Sequence, residues 1–218
     1  LGKEKNMKTK NIISLLLISV SMFGCKTIEP IQTGTNGEYI HSETQVVYPP
    51  NLGVFQRGDY HVYDSKGKDI SVGYNLYSQK DQIAVTIYSF PAPSLISIGS
   101  PKEVILVAQT TLFKQYAEAQ IQQLSQKHTS GKLVERKDIP NEIGTPEIKG
   151  VFALFSYTEP FAGKSQEVLS ELYLFQKNKW LIKYRITYPK GSKDSARKLI
   201  DQLMTEHKNS QQPLSPFE

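Results

Sequence analysis

The chain has 218 residues, 22% of them charged, with a formal net charge of +5 and a single cysteine. That length suits one domain with an adequate core, and one cysteine excludes an internal disulfide. The excess charge sits at the start of the chain, where Lys3, Lys5, Lys8 and Lys10 face only Glu4. Without that stretch the chain is near neutral and has no Lys/Arg cluster longer than Arg136-Lys137, which excludes nucleic acid as an expected partner.

Residues 1–24 read as a secretory signal. Lys8 and Lys10 give a positive n-region, the run from Ile12 to Val20 is apolar, and Gly24 is a small residue before Cys25. The apolar run is too short for a bilayer span, which needs about 20 residues. Met7 is the expected start, with residues 1–6 an upstream extension. The segment Ser21-Met22-Phe23-Gly24-Cys25 resembles the lipobox of bacterial lipoproteins. The resemblance implies that Cys25 is the site of lipid attachment (diacylglyceryl and a further acyl chain such as palmitate) and that cleavage falls just before it. Met22 and Phe23 depart from the usual Leu and small residue. By the same resemblance, Lys26 after the cysteine favours the outer membrane, facing the periplasm, in a Gram-negative cell. The chain is then a membrane-anchored cell-envelope protein.

Residues 25–50 are rich in Pro and Gly and are expected as a lipidated cysteine followed by a flexible tether. Residues 51–208 are expected as a single α+β domain, and 209–218 as a frayed tail. Period-two alternation predicts about six strands, at 70–77, 82–90, 133–139, 151–157, 168–176 and 179–188. A turn at Lys177-Asn178 would set Phe175 opposite Trp180. Tyr74, Tyr77 and Tyr88 are expected to cluster on one hairpin. Two amphipathic helices are expected. One is capped by Ser100-Pro101-Lys102-Glu103 and carries a stripe of Leu106, Phe113, Ala117, Ile121 and Leu124. The other runs over 192–208 through Ala196, Leu199, Ile200, Leu203 and Met204. Short connections require antiparallel pairing, with helices covering the sheet. This element order, and the stretch Trp180-Leu181-Ile182-Lys183-Tyr184-Arg185-Ile186-Thr187-Tyr188-Pro189 before the last helix, resembles PsbP-like α/β/α sandwiches of small exported proteins. The resemblance brings no functional residues with it.

Few residues suggest chemistry. Gly163-Lys164-Ser165 lacks the first glycine of a P-loop, where Thr158 stands, and Pro160 interrupts it, so a hairpin loop is expected. No histidine or cysteine pair has metal-ligand spacing, so no metal and no cofactor is expected. His41 falls in the expected tether, while His128 and His207 fall at helix ends, where a cation would suit the dipole. No nucleophile elbow or Ser-x-x-Lys pair is present, which leaves no catalytic residue to name. Lys183 and Arg185 alternate with apolar residues and so share one sheet face. They are expected either to pair with Glu171 or Glu167 or to receive an anionic ligand. With His61, flanked by Tyr60 and Tyr63, they form the expected binding surface. The expected function is that of a non-enzymatic accessory or binding lipoprotein, acting on another envelope protein. The alternatives are a module for a small hydrophobic or anionic ligand, and an envelope hydrolase. A cavity of several hundred Å³ would favour the ligand module. Oligomeric state is not legible.

Overall fold

The chain alternates between sheet faces with a period of two, and each face is closed by one helix. A computed structural model describes residues 29–34, 37–78, 81–93, 101–128, 131–140 and 148–210. The signal, Cys25 and residues 211–218 lie outside them. The strands are β1 (Gln32–Gly34), β2 (Tyr39–Ile40), β3 (Val47–Tyr48), β4 (Asn51–Leu52), β5 (Phe55–Val62), β6 (Ile70–Tyr77) and β7 (Gln82–Pro91). Helix α1 (Lys102–Lys127) follows, then β8 (Lys132–Pro140), β9 (Ile148–Phe161), β10 (Lys164–Lys177), β11 (Trp180–Pro189) and helix α2 (Lys193–Ser210). The main sheet runs β1-β5-β6-β7-β11-β10-β9-β8, with β4 also on β5, and β2 pairs with β3 apart from it. Every pairing is antiparallel.

The sheet is larger than the six expected strands because residues 32–62 add strands that periodicity does not reveal. Most are two or three residues long, too short to show alternation. The stretch expected as a tether is therefore largely part of the fold. Tyr48 is fully buried, and so is His41, whose ring meets Trp180 edge-on at 4.9 Å. The buried Arg57 guanidinium holds this segment by donating to the Tyr48 carbonyl at 2.7 Å and to the Gly37 carbonyl. The Tyr74 hydroxyl donates to the Pro49 carbonyl at 2.8 Å. Such bonds to backbone carbonyls leave no trace in a hydrophobic pattern.

On β11, Ile182, Tyr184, Ile186 and Tyr188 join the core under α2 with Ala196, Ile200 and Leu203. Leu181, on the opposite face, joins the core under α1 with Phe113, Ala117, Ile121 and Leu124. Each fully buried aliphatic side chain of this kind contributes about 1.5–3 kcal/mol. Four expected details fail. Leu106 is 42% exposed, and its neighbours Val104 and Val107 are exposed at 56% and 66%, so the buried stripe begins only at Phe113. Pro101 precedes the helix in an extended conformation and no side chain caps it, while Ser100 lies outside the described residues. The last hairpin turns at Asn178-Lys179, so Phe175 faces Ile182 and Trp180 faces Lys177. Asn178 has φ +54°, a left-handed position that Asn adopts more readily than Lys. Tyr74, Tyr77 and Tyr88 do not cluster: Tyr74 is buried toward α2, Tyr77 is 72% exposed, and Tyr88 lies on the α1 face. The turn Ala162-Gly163, with φ of +51° and +82°, is a hairpin as expected.

Gly150 on β9 has no room for a side chain. A Cβ there would stand 2.6 Å from both the Leu174 carbonyl oxygen and the Phe175 ring. The backbone oxygen cannot swing aside. Gly150→Ala is expected to lower stability by about 1–3 kcal/mol, read as an earlier midpoint in urea; an unchanged midpoint would mean that β9 and β10 separate freely.

Candidate functional site

The strands place Lys183 and Arg185 on the α1 face, as their alternation predicts. Lys183 Nζ donates to Gln120 Oε1 of α1 at 3.0 Å and lies 4.2 Å above the Tyr88 ring and 5.7 Å from that of Phe90. Arg185 Nη2 donates to Ser170 Oγ at 3.1 Å. Burial lowers both groups from their ordinary values, and Arg185 adds to the effect on Lys183, which falls to about 8.

The expected counter-ions are on the wrong face. Odd-numbered residues of β10 look toward α2, so Glu171 and Glu167 turn away from the cations. Glu171 stands opposite Ile186 and accepts bonds from the Tyr188 hydroxyl at 2.6 Å, the Tyr173 hydroxyl at 2.8 Å and Arg197 Nη1 at 3.4 Å. Glu167 takes Lys190 at 2.6 Å and Ser156 at 3.1 Å. His61 shares the cation face: it pairs with Ser71, Ser71 with Tyr88 and Tyr88 with Lys183. Three strand spacings separate it from Lys183, about 14 Å, and its ring bonds Thr33 Oγ1 at 3.0 Å. The three residues share a surface and do not form one site.

A second arrangement lies on the α2 face, and nothing in the sequence announced it. The buried stripe Ala196, Ile200, Leu203 and His207 seats α2 toward one side of the sheet. The neighbouring stripe of α2, with Arg197, Asp201, Met204 and Lys208, then overhangs the β10–β11 hairpin. Between them is a groove of about 700 Å³. Its floor is apolar and aromatic: Tyr173, Phe175, Ile182, Tyr184 and Met204. Its rim carries Lys149, Lys177, Arg197 and Lys208 against Asp201 alone. Asp201 is engaged by Arg197 at 3.2 Å, and Arg197 also reaches the Tyr173 hydroxyl at 2.5 Å. The groove therefore pairs a greasy floor with a cationic rim. Its residues are spread over some 60 positions, and only the helix register over the sheet collects them.

The helix-end histidines do not act as cations. His207 is fully buried at the end of α2, shares a 2.6 Å hydrogen bond with the Tyr184 hydroxyl, and is pushed down to about 3, chiefly by burial and then by Lys177. His128 is also lowered by burial, stacked on Tyr157 at 3.8 Å. Desolvation outweighs the helix dipole at both. Among the described residues, no group of three or more His, Cys, Asp and Glu is placed to hold a metal, and no helix is long and apolar enough to cross a membrane.

No family model matches the chain, and no curated protein matches it. Among solved structures it is similar to PA94 of Pseudomonas aeruginosa, a protein of unknown function, at 15% identity and a TM-score of 0.42, over 85% of this chain and 99% of that one. It is also similar to cyanobacterial PsbP from Synechocystis sp. PCC 6803, at 12% identity and a TM-score of 0.38, over 85% and 96%. Identities this low carry no residue role across.

Proposed function

We propose that the chain is a cell-envelope lipoprotein, anchored through lipidated Cys25, whose folded part is a non-enzymatic module that binds an anionic amphiphile in the groove under α2. The groove carries this reading. A cavity of about 700 Å³ falls in the range of ligand sites. The apolar floor would take a hydrocarbon or aromatic body, and Lys149, Lys177 and Lys208 of the rim would take an acidic head group, since Arg197 is already engaged by Asp201 and Glu171. The PsbP-like sandwich suggested by the element order is compatible with such a site beside the sheet.

The anchor adds proximity. Because β1 begins at Gln32, only six residues separate it from Cys25, a span of at most about 20 Å. The module would thus work close to the headgroups, at a raised effective concentration toward membrane-borne molecules. Lys26 supports the outer membrane as its address. Cys25→Ser is expected to move the protein from the membrane to the soluble fraction with the fold intact; membrane retention by that variant would contradict the anchor.

Titration calorimetry with dodecyl phosphate below its micelle concentration tests the groove. One-to-one binding is expected, weakened at least about tenfold by Met204→Trp, which fills the floor, and by Lys177→Glu with Lys208→Glu, which reverses the rim. Binding that ignores both changes would place the ligand elsewhere. One observation favours a second reading, docking on another envelope protein: α1 exposes Val104 at 56% and Val107 at 66% in its first turns. Loss of in-cell crosslinks to that partner in Val104→Glu with Val107→Glu would favour it.

A further inference from the structure

The two cations under α1 are unusual for what they lack. A charge inside a fold is normally matched by an opposite charge. Neither Lys183 nor Arg185 makes an ion pair with any described carboxylate. They sit two residues apart on one face of β11, in the middle of the sheet; burial lowers the proton affinity of both, and Arg185 lowers that of Lys183 further. Arg185 Nε is buried without an acceptor.

The surrounding carboxylates act on them only from beyond ion-pair contact. Asp69 is the carboxylate whose field reaches Lys183, without an ion pair between them; burial and then Asp64 raise its pKa, and Lys183 opposes them. Glu159, which faces Arg185, lies 4.0 Å from His128. The nearer neighbours are Gln120, Ser170, Tyr157, which hydrogen-bonds Arg185, and the rings of Tyr88 and Phe90. A polar shelf with two cations, a buried guanidinium N–H without an acceptor and no described carboxylate in direct contact is the chemistry of an anion site.

We propose that Lys183 and Arg185 form a binding site for a phosphate-type oxyanion between α1 and the sheet. Arg185 Nε and the remaining Lys183 protons supply charge-assisted donors to its oxygens. The site is on the opposite face from the groove and stands whether or not the groove binds an amphiphile.

The test uses the full chain at constant ionic strength, with inorganic phosphate and glycerol 3-phosphate as probes and the thermal midpoint and calorimetry as readouts. Saturable binding of either probe is expected, at least about tenfold weaker in Arg185→Gln and in Lys183→Met. Saturation by phosphate alone would point to the free ion, and by glycerol 3-phosphate alone to a headgroup-type phosphoester. Without either probe, Lys183→Met should melt no lower than the wild type, because an unmatched buried charge is gone. A purely structural lysine would instead leave that variant less stable and the anion response unchanged. No saturation by either probe, or equal affinity in Arg185→Gln, would overturn the proposal.

Discussion

Replacing Glu171 by Ala is expected to remove about 3–5 kcal/mol of stability, a large share of what a domain of this size possesses. Glu171 is 3% exposed and is the shared acceptor for Tyr173, Tyr188 and Arg197. Taking it away leaves two phenol hydroxyls without their acceptor and opens a cavity between the sheet and α2. The ion pair with Arg197 is the smaller part of the loss, since that guanidinium is about half exposed and solvent screens it. Glu171→Gln keeps the shape and one acceptor, and should cost about 1–2 kcal/mol. Urea unfolding of the two variants separates these contributions. Equal losses would assign the whole effect to charge and contradict this account.

Acid is expected to weaken the fold well above the range where carboxylates titrate. His207 is held at about 3, below its ordinary 6.5, so the folded protein keeps a neutral ring. The unfolded chain gains a proton there as pH falls below 6.5, while the folded chain gains it only near 3. The contribution is therefore complete above pH 6.5 and is lost progressively between 6.5 and 3. The loss reaches about 2 kcal/mol by pH 5. His41, also fully buried and lowered by desolvation, acts in the same direction. His207→Leu combined with Tyr184→Phe removes the ring and its bonded hydroxyl together, and should flatten the slope between pH 7 and 5. A slope unchanged in the double variant would place the acid sensitivity elsewhere.

The hairpins that strict alternation defines were legible in the sequence. Strands β6, β7, β10 and β11 appear as runs in which every second residue is apolar, and the same rule correctly put Lys183 and Arg185 on one face. It also held the answer on Glu171 and Glu167: counted across the observed register, odd positions of β10 oppose even positions of β11. The expected turn at Lys177-Asn178 slides the register by two residues and leaves that parity unchanged, so both glutamates were already legible on the face opposite the cations. The N-terminal third was illegible for another reason. Its strands are short, and Tyr48 and His41 are buried by carbonyl bonds and ring contacts made 9 to 139 residues away. Prolines and glycines there mark turns within the fold, although the same composition describes a linker.

The groove shows how position can create a site without a motif. Arg197, Met204 and Lys208 lie beside the buried stripe of α2, where a solvated helix face is the ordinary reading. They gain a partner surface only because α2 packs toward β3, β4 and β11, which leaves the outer part of β10 uncovered. Lys149 and Lys177 then complete the rim from β9 and β10.

The most direct test of the binding reading is to purify the wild-type protein and the Met204→Trp variant from cells in mild detergent, extract each with organic solvent and analyse the extracts by mass spectrometry. The account predicts a molecule with an acidic head and a hydrocarbon or aromatic body, near one per wild-type chain and depleted in the variant. Equal recovery of the same molecules from both proteins would contradict it.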